Sequence, residues 1–257
     1  MRRRTDMTNR QMTASAPLGQ SAVCRREQGD SPFTERQFKE LESIMHIRRY
    51  EAGAYLFWEG EPAEAVYYIR KGHVKLRRTT DDGRDLLLSI LKPGDFLVDF
   101  DAWDPNHRNS GQAMDDVEAG IIPLPDLELL LGKDGELAFR FAMWMSMLRR
   151  RSESKLCDLI MLGKPGALAS TLIRLTNSFG VAQPDGILIR LKLTNTELAE
   201  LVGTTRESIN RMLNTLKNEG VIDMAPGGRL RVLQLDKLRQ MAGCPECPAC
   251  PKEICSI

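Results

Sequence analysis

Thr194-Asn195-Thr196-Glu197-Leu198-Ala199-Glu200-Leu201-Val202-Gly203-Thr204-Thr205-Arg206-Glu207-Ser208-Ile209-Asn210-Arg211 is the stretch on which the fold of this chain turns. Its spacing predicts two short helices, Thr196 to Val202 and Thr205 to Asn218. Leu198, Ala199 and Val202 form the inner face of the first, and Ala199 is small enough for close helix approach. Gly203 permits the tight turn, Thr205 caps the second helix, and Ile209, Met212, Leu213 and Leu216 bury its back. Arg206, Glu207, Asn210 and Arg211 remain facing outward. A guanidinium pairs bidentately with guanine O6 and N7 and a carboxylate accepts from cytosine N4, so this face suits a G·C-containing step in the major groove. Thr194, Thr196, Thr205 and Ser208 are placed to meet phosphates, which position without specifying. Pro226-Gly227-Gly228, turning between Val221-Ile222 and Leu230-Arg231-Val232, adds a hairpin wing. The same charge mixture also fits a solvated helix surface, but the wing and the long helix upstream weigh against that.

Toward the N-terminus, Ile187 to Leu191 reads as a strand, Ala167 to Phe179 as a helix, and Gly163-Lys164-Pro165-Gly166 as a hinge. Glu136 to about Leu162 lacks Pro and Gly. Leu137, Phe141, Trp144, Leu148, Lys155, Leu159 and Leu162 recur there at three-to-four-residue spacing, interrupted by Arg149-Arg150-Arg151. That predicts a long helix whose stripe pairs with a second copy of the chain, beyond ordinary packing on its own domain. Farther upstream, Gly53, Gly60, Gly72, Gly83 and Gly94 punctuate runs such as Val66-Tyr67-Tyr68-Ile69 and Leu86-Leu87-Leu88-Ser89-Ile90, as in an antiparallel roll. Asp82-Gly83 is its clearest hairpin signal. A short helix from Glu35 to Ile44 precedes it. The expected fold is α+β: a tail (1–32), an antiparallel β-roll (33–135), a dimerisation helix (136–162), a winged helix-turn-helix (163–241) and a cysteine-rich tail (242–257).

The 257 residues are 42% hydrophobic and 28% charged with a formal net charge of +1, so nucleic-acid contact must come from a local basic patch. No apolar run approaches the roughly 20 residues that span a bilayer, and polar residues follow Met1-Arg2-Arg3-Arg4-Thr5-Asp6, so a cytoplasmic location without membrane contact is expected. His46, His73 and His107 are scattered, with no triad or carboxylate pair, which argues against an enzyme.

Four of the six cysteines, Cys244, Cys247, Cys250 and Cys255, crowd the last fourteen residues, interleaved with Pro245, Pro248 and Pro251. In a reducing compartment such clustering favours metal or redox chemistry over disulfides. A short turn-rich loop of thiolates suits a polynuclear iron–sulfur cluster, with zinc as the alternative. Cys157 reads as a small buried hydrophobe.

From about Phe33 to Met241 the chain resembles the cAMP receptor/FNR family of bacterial transcription regulators. The likeness is carried by the spaced glycines, Leu91-Lys92-Pro93-Gly94-Asp95-Phe96, the long helix, and Thr205-Arg206-Glu207-Ser208-Ile209-Asn210-Arg211-Met212-Leu213, in the family's order. It implies a homodimer reading two half-sites of a palindrome. Arg206, Glu207 and Arg211 match readers of TGTGA-type half-sites. Cyclic-nucleotide binders of the family carry a Gly-Glu pair and an Arg-Ser/Thr-Ala step where this chain has Val98-Asp99 and Asn109-Ser110-Gly111, which disfavours a cyclic nucleotide despite Arg108 nearby. The resemblance extends to a Gram-positive branch whose Cys-x2-Cys-x4-Cys run holds a [4Fe–4S] cluster together with an aspartate from the end of the central helix. Cys247, Cys250 and Cys255 match that run, Asp158 matches the aspartate, and Cys244 is extra. Surface loops such as Asp81 to Asp85 are candidates to touch RNA polymerase. A cyclic-nucleotide-responsive regulator with a zinc-stabilised tail is the second expectation.

Overall fold

The structure, a computed structural model, describes residues 32–80, 82–83, 85–100, 103–244 and 254–257. The tail before Pro32 with Cys24, the loop residues Asp81 and Arg84, and the ligand candidates Cys247 and Cys250 lie outside the described residues.

Helix α1 (Glu35–Ser43) starts at a capping box: the Thr34 hydroxyl accepts from the Gln37 N–H, and the Gln37 side chain accepts from the Thr34 N–H. Eight strands follow: β1 (His46–Tyr50), β2 (Tyr55–Phe57), β3 (Ala65–Lys71), β4 (Val74–Thr79), β5 (Asp85–Leu91), β6 (Phe96–Leu97), β7 (Ser110–Ala113) and β8 (Val117–Pro123). They form two antiparallel four-stranded sheets, ordered β1-β8-β3-β6 and β2-β7-β4-β5. Apolar residues at alternate positions, among them Phe57, Ile69, Val74, Leu91 and Ala119, are buried in a core of this roll. The Asp82-Gly83 hairpin joins β4 to β5, with Thr79 paired to Asp85.

Helix α2 (Leu124–Lys133), hidden in the sequence by Pro123 and Pro125, leads into α3 (Gly135–Met161). The Asp134 carboxylate caps α3 by accepting from the N–H groups of Glu136 and Leu137. Leu137, Phe141 and Trp144 do not face a second copy. They are buried against Phe33, Phe96, Ile122 and Leu127 of the same chain, while Leu159 and Leu162 pack on the core of the following domain. The expected pairing stripe is therefore an intrachain face. The apolar residues left exposed on α3 include Phe139, Met143, Ile160 and Met161, roughly half a turn around the helix.

The expected hinge is a one-residue junction. Leu162 alone separates α3 from α4 (Gly163–Phe179), and Gly163 takes a left-handed φ of 62°. Pro165 falls in the first turn, where a helix needs no donor from it, so Gly163 to Gly166 continue as helix instead of forming a linker. Then come β9 (Gly180–Gln183), β10 (Gly186–Ile189), α5 (Asn195–Val202), α6 (Arg206–Asn218), β11 (Ile222–Ala225), β12 (Arg229–Val232) and α7 (Leu235–Met241), with a sheet ordered β11-β12-β10-β9. Leu87 and Ile90 of β5 share the core of this C-terminal unit with Leu168, Leu172, Leu198 and Leu213.

Lys155 explains how α3 passes an edge strand. Strand β5 ends its sheet and bulges at Leu88, because Leu76 pairs with Ser89 and Arg77 with Leu87. The Lys155 ammonium donates to the carbonyls of Leu88 at 2.8 Å and Leu87 at 3.4 Å. Burial, aided by the nearby Arg174 cation, depresses its pKa from 10.5 to about 8. Below pH 8 both folded and unfolded chains hold this proton, and the buried charge costs its full penalty. Between about 8 and 10.5 the unfolded chain binds more protons, so stability rises with pH, by up to about 3 kcal/mol. The urea midpoint of the wild type is expected to rise from pH 7.5 to 9.5 relative to Lys155→Met, which loses that increment.

Candidate nucleic-acid interface and cysteine tail

Helices α5 and α6 are set by their caps. The Thr194 hydroxyl accepts from the Glu197 N–H at 3.1 Å and donates to the Glu197 carboxylate at 2.9 Å, while Thr205 accepts from the Ser208 N–H at 3.2 Å. Gly203 closes α5 with φ 67° and ψ 43°, a conformation in which a Cβ would be strained. Leu198, Ala199, Leu201, Val202, Ile209, Leu213 and Leu216 are buried. Arg206, Glu207 and Arg211 stand exposed on one side of α6, and Thr196 is exposed on α5.

Three details differ from a freely presented reading face. The Asn210 side-chain oxygen accepts from the Asn195 amide, so this acceptor ties α6 to α5. The Thr194 and Thr205 hydroxyl protons are committed within the caps, to Glu197 and Ser208, which leaves only acceptor capacity toward an incoming group. Ser208 also accepts from Arg211 at 3.5 Å. The Glu207 carboxyl is held below its usual range, first by its own backbone N–H, so it is an anion suited to accept from a base amino group.

The roll grips α5 through Lys75 to Glu197 at 3.4 Å and Arg77 to Glu200 at 2.9 Å. Burial pushes the Glu200 carboxyl up, and Arg77 opposes that shift. In the roll, the Asp99 carboxylate accepts from the Arg108 N–H at 3.1 Å and from the Asn109 amide at 3.4 Å. His107 is 3% exposed, stacks on Phe57 with centroids 3.9 Å apart, and has Nδ1 3.5 Å from Asp99. Asp99 and Asn109, which the family resemblance sets at the stations for ribose and cyclic phosphate, thus bond to each other.

The end of the chain lies along one face of α4. Ser170, Arg174, Asn177 and Ser178 recur at helical spacing. Ser170 donates to Asp158 Oδ2 at 2.5 Å, and Arg174 donates to the same oxygen from Nη2 at 2.5 Å and from Nε at 3.1 Å. Farther along, Arg174 Nη1 donates to the carbonyls of Ile254 at 2.9 Å and Ser256 at 3.4 Å. Asn177 donates to the Cys255 carbonyl at 2.7 Å, and the Ile257 N–H donates to the Ser178 hydroxyl at 3.0 Å. Cys255 packs on the C-terminal core, and Ile257 is buried. Asp158 and Cys255 are therefore held by the same helix face, and Asp158 is a partly buried ion-pair member instead of a solvated helical carboxylate. Its Oδ1 has no hydrogen-bond partner among the described residues.

Cys244 is exposed, with its N–H on the Arg239 carbonyl at 2.8 Å. Cys157 is exposed, not a buried hydrophobe, because it falls on the outer side of α3. Among the described residues no three His, Cys, Asp or Glu side chains gather as a metal site; two of the three matched thiols are not among them. The sequence reading missed Arg174, Ser170 and Asn177. The available signal was Arg174 itself, the one charge after Lys164 in a helix whose middle is otherwise buried.

Residues 47–134 match the cyclic nucleotide-binding domain family and residues 166–241 match the Crp-like helix-turn-helix domain family. The chain is 42% identical over 219 residues to the anaerobic regulatory protein of Bacillus subtilis (strain 168), covering 84% of this chain and 91% of that one. It is 32% identical over 171 residues to the CRP-like cAMP-activated global transcriptional regulator of Mycobacterium tuberculosis, covering 66% of this chain and 76% of the relative. The fold is shared with FixK2 of Bradyrhizobium japonicum (TM-score 0.68, 22% identity, 77% of this chain and 97% of that one) and with the c-di-GMP-responsive regulator CLP of Xanthomonas campestris (TM-score 0.68, 24% identity, 77% and 99%). A β-roll, a long helix and a winged helix-turn-helix in this order, together with the Crp-like helix-turn-helix match and the 42% identical relative, mark a transcription regulator. The chain belongs to the CRP/FNR family of transcription regulators. Among the described residues no helix is long and apolar enough to cross a membrane.

Proposed function

We propose that this protein is an oxygen- or redox-responsive regulator that binds a TGTGA-type palindrome as a homodimer and holds a [4Fe–4S] cluster at its C-terminal cysteines. The observation that carries this reading is the anchoring of Ile254 to Ile257 along the face of α4 that also holds Asp158. Cys247, Cys250 and Cys255 would supply thiolates and Asp158 Oδ1 the fourth bond, with Cys244 as an alternate. That donor set fits: soft thiolates suit iron–sulfur chemistry, and Oδ1, with no partner among the described residues, belongs to a carboxylate already oriented through Oδ2. When bound, such a cluster supplies an oxygen-labile link between the tail and the end of α3.

The residues around that link carry its consequences. The α3–α4 junction is a single residue, so fixing the tail to Asp158 fixes the winged domain against α3, and the distance between two reading helices in a dimer follows. Arg206, Glu207 and Arg211 read base edges. The exposed Phe139, Met143, Ile160 and Met161 offer the dimer its apolar face, and RNA polymerase is the expected further partner. The relative's description as an anaerobic regulatory protein supports the redox reading.

The test is anaerobic reconstitution of the full chain with ferrous iron and sulfide. Expected are iron–sulfur absorbance, about four irons per subunit and tighter operator binding than the apo protein. No such absorbance, zinc in its place, or equal operator affinity with and without iron would sink the reading.

A further inference from the structure

We infer that Arg174 is the positioning residue that couples the chain terminus to the end of α3. Arg174 is 2% exposed, and each of its five side-chain N–H donors has an acceptor: two meet Asp158 Oδ2, one the Ser154 hydroxyl, and two the Ile254 and Ser256 carbonyls. The two sides of this junction are far apart in sequence. Asp158 and Ser154 lie one helical turn apart on α3, while the two carbonyls flank Cys255, whose own carbonyl is taken by Asn177.

A planar five-donor fork is the side chain that can hold a carboxylate on one edge and two peptide carbonyls on another; a lysine has three donors radiating from one atom. Arg174 neutralises Asp158 and donates to the two carbonyls beside Cys255, so one side chain holds both the tail and the end of α3. The same contacts leave Oδ1 without a partner among the described residues and draw electron density from the carboxylate through Oδ2. Asp158 is thereby oriented yet made a weaker donor, and its bond to a metal becomes the one that opens first. The tail-to-helix junction stands on the geometry alone; its relay to a metal rests on the function proposed above.

The experiment compares full-length wild type, Arg174→Lys, Arg174→Gln and Asn177→Ala, first without metal. Amide hydrogen exchange at Ile257 is expected to quicken at least roughly tenfold in both Arg174 variants and less in Asn177→Ala, with amides of α5 and α6 unchanged. Unchanged exchange at Ile257 in folded Arg174 variants overturns the inference, as does acceleration spread equally through α4, α5 and α6. Should Arg174→Gln fail to fold, Arg174→Lys, which keeps the buried cation opposite Asp158, decides by the same criterion. The second arm loads each protein with ferrous iron and sulfide and follows the Mössbauer signal of the iron bound to oxygen. Arg174→Lys is expected to shift that signal, and an unshifted signal overturns the relay. If the wild type takes up no iron, the function proposed above fails, while the exchange arm still decides the junction.

Discussion

The double substitution Met143→Glu and Ile160→Glu is expected to give a folded monomer that no longer holds its operator. Both side chains are exposed, Met143 at 46% and Ile160 at 69%, and they share a side of α3 with Phe139, Cys157 and Met161. A 27-residue helix carrying apolar groups at both ends of its outer side, with Arg150 and Glu153 between, has the make-up of a pairing surface whose middle is set by charge. Each new carboxylate would be buried unpaired against its twin, which forbids close packing. Each monomer still carries one complete reading head, so what disappears is the simultaneous engagement of two half-sites. The expected loss of operator affinity is roughly a hundredfold or more, while the salt-dependent non-specific binding falls far less. Light scattering and a binding titration on the same sample check it; a dimer with wild-type affinity would rule this face out.

The same helix shows where the sequence was readable and where it was not. A stripe at three-to-four-residue spacing establishes that a helix buries one side, but it does not say against what. Leu137, Phe141 and Trp144 go to the chain's own roll and the weaker outer side is left open. Local signals did better. The Asp82-Gly83 hairpin, the Pro226-Gly227-Gly228 wing and the α5–turn–α6 unit depend on neighbours in sequence: both turns fall where expected and the two helices within a residue at each end, while β11 runs three residues past Ile222. Gly163 to Gly166 misled, because a breaker composition also describes the first turn of a helix. At the cysteine tail, the family resemblance pointed to Asp158, and thiol spacing was visible. What joins them was not, since Ser170, Arg174 and Asn177 belong to a third element and acquire their role only when α4 packs between the two.

Serine in place of Cys247, Cys250 or Cys255 is expected to abolish iron binding, whereas Cys244→Ser retains it. Cys255→Ser is the sharpest of these. The backbone carbonyl of that residue is held by Asn177, a contact the substitution does not touch, so a thiol is removed while the bonds of the tail to α4 are kept. Lost iron with unchanged Ile257 exchange would then separate ligation from docking, which substitutions at Arg174 cannot do. Operator affinity should fall by roughly 5–150-fold relative to the iron-loaded wild type, the usual span of coupling between two sites, and should equal that of the wild-type apo protein. The fourth ligand is decided by a pair of variants. If Asp158 supplies it, Asp158→Ala leaves a cluster bound by three thiolates that loses iron faster in air, while Cys244→Ser keeps the wild-type rate. The reverse result would assign the bond to Cys244, whose backbone lies at the end of α7 on the Arg239 carbonyl. The tail would then close upon itself, no bond would cross to α3, and the coupling between iron and operator affinity would have to pass through Arg174 alone.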